Sequence, residues 1–219
     1  MDKIRIYPEY LGGEVKIPPS KSMAHRYIIG ASLSREEVTV RNLQMSKDIE
    51  ATIGVMENLG VSFDKKQEAD GTFRVKVKGN GAGFRLSGTR FQCNESGSTL
   101  RFLIPMLLLM DEAVEVDGKG KLVERPLNVY YDLLEERGIG YGTRAGCLPL
   151  TLPAGRKKLQ SGTFKVRGDV SSQFITGLMF ALPLLDRLNI GHFFATVVGG
   201  DCGCYSGPCG GGSRAGDTG

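Results

Sequence analysis

The stretch Pro18-Pro19-Ser20-Lys21-Ser22-Met23-Ala24-His25-Arg26 decides how the chain is read. Its prolines hold the backbone extended ahead of Ser20. Ser20 is then placed to cap a helix whose apolar residues, Ala24, Tyr27, Ile28 and Ala31, fall on one face. Lys21 and Arg26 stand in the first turns, where the helix dipole is already positive. Cations there are unfavourable until an anion arrives. Free N–H groups, a hydroxyl and two cations at a helix start suit a phosphate or carboxylate. Taken alone, the same pattern also describes a solvated helix start.

Working outward, the rest of the chain repeats this beginning. The first helix spans Lys21 to about Ser34, and Val38-Thr39-Val40 reads as a strand. A second helix opens at Asp48 and ends at Gly60. Val61–Phe63 and Phe73–Val77 alternate as a hairpin. The same order then recurs. Phe84–Leu86 reads as a strand, and Gly97 opens an almost wholly apolar helix to about Met110, kinked at Pro105. Ala113–Val116 reads as a strand, Arg125-Pro126 as a helix start, Gly138 as its end, and strands follow near Ile139 and Leu150. A third round begins with Phe164–Val166 and a helix opened by Ser171-Ser172-Gln173. Ahead of all three rounds, Ile4 to Val15 reads as a strand, a Gly12-Gly13 turn and the start of another strand.

Lys21, Gly97 and Ser172 stand 76 and 75 residues apart. The expected fold class is therefore α/β: a βαβαββ unit present twice in full and once in part, too long for a common solenoid repeat. Packed around an axis, the first helices of such units would bring their N-termini to one anionic ligand.

Composition sets limits on what that ligand is. The chain has 219 residues and a net charge of +4, with 41% hydrophobic and 24% charged residues. This mild excess suits a small anionic substrate and lacks the dense basic block of a nucleic-acid binder. No stretch is long enough to span a bilayer, and the start carries no apolar signal core, so a cytoplasmic location is expected. Four cations lie near helix starts: Lys21, Arg26, Arg101 and Arg125. Arginine presents a planar fork to carboxylate or phosphate, and lysine a compact charge. Ser22, Ser171 and Ser172 supply hydroxyls, and Gln173 both donates and accepts. His25 and His192 are read as structural or surface residues, since no Ser/His/Asp arrangement accompanies them.

Pro-Ser-Lys-Ser-x-x-x-Arg at Pro19–Arg26, Glu-Ser-Gly-Ser-Thr-Leu-Arg at Glu95–Arg101, Glu-Arg-Pro-Leu at Glu124–Leu127 and Val-Ser-Ser-Gln-Phe at Val170–Phe174 together resemble EPSP synthase, 3-phosphoshikimate 1-carboxyvinyltransferase of the shikimate pathway. The resemblance implies the family's inside-out α/β barrel domain. It implies transfer of the enolpyruvyl group of phosphoenolpyruvate to the 5-hydroxyl of shikimate 3-phosphate, with no metal or organic cofactor. It also implies a monomer whose partners are those two small molecules, and no nucleic acid or membrane. By the same resemblance Lys21 contacts both substrates and is the catalytic candidate. Ser22, Arg26, Ser171, Ser172 and Gln173 hold shikimate 3-phosphate. Gly97, Arg101 and Arg125, with Gln173 between the substrates, belong to phosphoenolpyruvate. Glu95-Ser96-Gly97-Ser98 departs from the family's commoner Asn-Ala-Gly-Thr, which bears on phosphoenolpyruvate affinity.

The expected organisation is a partial family region over 1–185 and an unlike tail over 186–219, glycine-rich and unordered, carrying Cys202, Cys204 and Cys209. Three thiolates at that spacing make a poor zinc pattern. A chain lacking the remainder of the family's third unit and its second domain is expected to be inactive by itself. Two alternatives stay open: UDP-N-acetylglucosamine enolpyruvyl transferase, and a non-catalytic anion-binding remnant.

Overall fold

In unit one, α1 (Lys21–Ser32) begins where Ser20 accepts the Met23 N–H at 3.4 Å. β1 (Glu37–Leu43) follows, then α2 (Lys47–Asn58), capped by Ser46 on the Ile49 N–H. Two strands, β2 (Ser62–Gln67) and β3 (Phe73–Lys78), complete the unit. The sheet order is β1-β3-β2, antiparallel throughout, and buried Val75 and Val77 alternate with exposed lysines along β3. The computed structural model of the chain describes residues 17–81, 83–167, 169–186 and 194–198, the last as backbone. The opening strands expected over 4–15 lie outside these residues. So does the tail expected over 186–219, apart from residue 186 and the strand at 194–198.

The second unit is complete: β4 (Arg90–Gln92), α3 (Gly97–Leu107), β5 (Val114–Asp117), α4 (Asn128–Arg137), β6 (Gly142–Arg144) and β7 (Cys147–Leu152). Its sheet runs β4-β5-β7-β6, with β4 and β5 parallel and β7 antiparallel to both its neighbours. Without its leading strand this is the order of the first sheet. The third round supplies β8 (Thr163–Arg167), α5 (Ser172–Asp186) and β9 (Phe194–Val198), and β8 and β9 are parallel as β4 and β5 are. Among the described residues the second unit carries the whole βαβαββ order read from spacing, the first its αβαββ part and the third βαβ, with α1, α3 and α5 as corresponding helices.

Burial explains why α3 lies innermost. Leu100, Phe102, Leu103, Ile104, Met106 and Leu107 are at most 1% exposed. Each contributes about 1.5–3 kcal/mol of burial, which an amphipathic surface helix would gain on one face only. Pro105 lies inside this helix and has no N–H to return to the Arg101 carbonyl. The Tyr130 hydroxyl from α4 takes its place, 2.6 Å from Arg101 O and 3.1 Å from Phe174 O of α5. Gly177 gives α5 its approach to this point. A Cβ there would collide with Arg101 O and the Tyr130 hydroxyl.

Four local readings need correction. Phe84–Leu86 is no strand: the Arg85 and Ser87 N–H groups bond to Leu59 O and Asn58 O, closing the end of α2, and the leading strand is β4. Arg125-Pro126 precedes α4, because a 3₁₀ turn over Gly120–Leu122 takes the Arg125 N–H. Ile139 is the residue after a left-handed Gly138, and its N–H returns to Leu134 O at 2.8 Å. That Schellman closure explains an apolar signal there without a strand, and β6 starts three residues later. Finally, α1 and α3 are shorter than the expected spans to Ser34 and Met110: they end at Ser32 and Leu107.

Candidate functional site

The first turns of α1, α2, α3 and α5 meet. Lys21 Nζ, at the start of α1, lies 2.7 Å from Asp48 Oδ2 in the first turn of α2. The Gln173 side-chain nitrogen at the start of α5 donates to Ser98 Oγ at the start of α3, at 2.7 Å. Arg26 of α1 reaches Thr176 Oγ1 of α5 at 3.3 Å. Serine capping makes these starts alike: Ser96 accepts the Thr99 N–H, as Ser20 and Ser46 do for α1 and α2. Ser171 Oγ accepts the Gln173 N–H at 3.3 Å. These contacts bring together the helix starts that the repeat spacing marks.

Arg26 and Arg101 are held by neutral groups, unlike Lys21 with its Asp48 carboxylate. Arg26 donates to the carbonyl and hydroxyl of Ser22 at 2.8 and 2.6 Å, and its guanidinium lies 5.3 Å from the Phe102 ring centroid. Arg101 donates to Gln173 Oε1 at 2.7 Å and covers the Phe174 ring at 5.0 Å. Its Nε is buried without a hydrogen-bond partner. A Cβ on Gly97 would lie 2.8 Å from Arg125 Nη1 and 3.0 Å from Arg101 Nη1, so both guanidinium groups face the bare start of α3. Burial, and then the neighbouring Arg125, pulls Arg101 below the ordinary arginine range. Among the described residues neither arginine pairs with a carboxylate. Two guanidinium groups over a helix N-terminus form an anion cradle.

Behind the cradle lies a dry polar seam. His25 is 1% exposed, and burial above all lowers its pKa from 6.5 to about 4, with Asp48 opposing and Lys21 and Arg26 reinforcing the shift. The unfolded chain therefore binds a proton that the folded state refuses. Stability from this residue is fully present above pH 6.5 and is lost as pH falls towards about 4. Urea titrations across that window should give a shallower acid loss for His25→Gln than for the parent protein. Equal slopes would remove His25 as the source.

Lys21, Ser22, Arg26, Gly97, Arg101, Ser171 and Gln173 are gathered by the contacts above, and Arg125 joins them through Gly97. Ser172 is exposed, and its carbonyl accepts from Thr176 Oγ1 at 3.1 Å. Sequence reasoning missed Asp48 as the partner of Lys21, Ser98 and Thr176 as links to α5, and the aromatic platforms Phe102 and Phe174. Thr176 had a legible signal, four residues after Ser172 on the same helix face. Asp48 had none, because its partner lies 27 residues away.

Over most of its length the chain is similar to known proteins. The EPSP synthase (3-phosphoshikimate 1-carboxyvinyltransferase) family model matches residues 7–192. A 3-phosphoshikimate 1-carboxyvinyltransferase of Clostridium kluyveri is 49% identical over 185 residues, covering 84% of this chain and 41% of the relative. One from Clostridium novyi is 47% identical over 192 residues, covering 85% and 43%. The chain thus spans about two-fifths of the length of the curated relatives it matches. The solved structure of EPSP synthase from Acinetobacter baumannii superposes with a TM-score of 0.65 at 23% identity, over 77% of this chain and 37% of that one. No helix among the described residues is long and apolar enough to cross a membrane.

Proposed function

The chain belongs to the EPSP synthase family, and from that premise we propose that its cradle binds shikimate 3-phosphate and phosphoenolpyruvate for enolpyruvyl transfer to the 5-hydroxyl, with release of phosphate. The reading rests on one observation: the N-termini of α1, α3 and α5 meet, with Arg26 tied to Thr176 and Arg101 tied to Gln173. Two highly anionic molecules must be brought together, and fixed cations with exposed N–H groups do this without later reorganisation.

Within the proposal, Ser22, Arg26, Ser171, Ser172 and Gln173 take shikimate 3-phosphate. Arg101 and Arg125 take phosphoenolpyruvate, and the bare Cα of Gly97 lets it approach the helix start. Lys21 stands between the two, its ammonium held by Asp48, and is the residue placed to hold or move a proton. Transfer needs one proton to reach the methylene carbon of phosphoenolpyruvate and another to leave the attacking hydroxyl.

Calorimetric titration of the chain with shikimate 3-phosphate tests this. Arg26→Ala should weaken binding by about 1.5–3 kcal/mol, or roughly 10- to 150-fold, because one charge-assisted phosphate partner is lost. Its melting temperature should change little, since the Arg26 head rests at the rim on Ser22 and Thr176. Unchanged affinity would remove Arg26 from the site. A parent chain that binds neither ligand, or prefers a UDP-sugar, would overturn the function itself.

A further inference from the structure

The polar seam behind the cradle is a continuous chain across three helices. His25 Nδ1 of α1 lies 2.7 Å from Thr52 Oγ1 of α2, and Thr52 Oγ1 lies 2.7 Å from Thr99 Oγ1 of α3. Thr99 Oγ1 donates to Ser96 Oγ, again at 2.7 Å. All four side chains are buried, between 0% and 2% exposed. The binding roles above do not use them. Apolar residues would pack the same seam at lower desolvation cost, so the polar chain needs a reason.

Proton counting gives the chain a direction. Each hydroxyl carries one proton. Thr99 gives its proton to Ser96, so it must accept from Thr52. Running in this direction, the chain has Thr52 accept from His25 and requires the tautomer with a proton on Nδ1. Ser96 Oγ also accepts the Thr99 N–H and so caps α3 immediately before Gly97. Both threonine hydroxyls further lie 3.3 and 3.4 Å from the Asp48 carbonyl, in the first turn of α2. Every link therefore ends close to the site: His25 four residues after Lys21, Thr52 four after Asp48 with Thr99 against the Asp48 carbonyl, and Ser96 next to Gly97.

We propose that Thr52, with His25 and Thr99, is a positioning residue that sets the register of α1, α2 and α3 and so the spacing between Lys21 and the start of α3. Oily contacts between helices tolerate sliding. A run of 2.7 Å hydrogen bonds in a dry seam does not, because a one-turn slip leaves several buried groups unsatisfied. Lys21 and Gly97 stand on different repeat units, so their spacing depends on this register. The inference rests on the binding role proposed above.

Thr52→Val keeps volume and branching but breaks the chain at its centre, and Thr52→Ser restores the hydroxyl. For the valine variant, shikimate 3-phosphate affinity should fall about tenfold, matching typical coupling within one network, and serine should recover it. In the ligand-free protein, the backbone amide resonances of Lys21 and Gly97 should move in Thr52→Val and return in Thr52→Ser. The parent His25 ring should show a proton on Nδ1. A merely structural residue would lower the melting temperature of Thr52→Val and leave affinity and both amides in place, and that result overturns the proposal. A parent chain that fails to bind strikes the function instead. The amides then decide the register claim alone, and unmoved Lys21 and Gly97 reject it.

Discussion

Gly177→Ala is expected to destabilise the protein by about 3–5 kcal/mol, a large share of ordinary domain stability. Helix propensity alone argues for the opposite sign, since alanine in a helix interior is about 1 kcal/mol better than glycine. The structure decides the matter. The added methyl would meet the Arg101 carbonyl and the Tyr130 hydroxyl, both fixed in the crossing of α3 and α5. Backbone cannot swing aside as a side-chain tip can. Either α5 moves off α3, opening space around Phe174 and Leu178, or the Tyr130 bond to Arg101 O breaks and leaves a buried acceptor unsatisfied. Denaturant unfolding reads the cost directly. A neutral or stabilising Gly177→Ala would show that the helices do not cross as closely as described.

Gly97→Ala should spare stability and strike binding. Its methyl would sit 2.8 and 3.0 Å from the Nη1 atoms of Arg125 and Arg101, which are flexible ends that yield cheaply. Yielding carries both guanidinium groups away from the start of α3. With two charge-assisted contacts displaced, phosphoenolpyruvate affinity should fall about 100-fold, while shikimate 3-phosphate, held by Ser22 and Arg26, loses less than threefold. Competitive titration of the two ligands separates these effects. Equal losses for both would mean that Gly97 does not divide them.

Much of this was legible in the sequence. Serines at helix starts, apolar faces at helical spacing and the 75-residue rhythm are local signals repeated in register, so the unit and its corresponding helices could be read off. What escaped depends on partners distant in sequence. Phe84–Leu86 has strand composition, yet the carbonyls at the end of α2 claim its N–H groups. Arg156 carries no signal in the sequence, yet it is 7% exposed and donates to Leu107 O, Glu112 O and Pro153 O. Tyr130 reads as one more apolar residue of α4. Its value comes from a hydrogen bond that Pro105 cannot make, 25 residues upstream. The site divides the same way: its cations announced themselves by type and position, whereas Asp48 and Thr52 acquire meaning through contacts with residues far away in the sequence.

No single repeat unit owns the cradle. Lys21, Ser22 and Arg26 come from the first unit, Gly97, Arg101 and Arg125 from the second, and Ser171 and Gln173 from the third, with Arg26–Thr176 and Arg101–Gln173 as seams between them. A ligand that occupies all of them binds only the docked arrangement of the units. Thermodynamic linkage then makes ligand affinity and docking two readings of one equilibrium, with docking strengthened by RT ln(1 + [L]/Kd), about 2.7 kcal/mol at a hundredfold excess over Kd. A ligand of the cradle is in this sense a component of the tertiary structure, and cooperativity of unfolding should rise as the cradle fills.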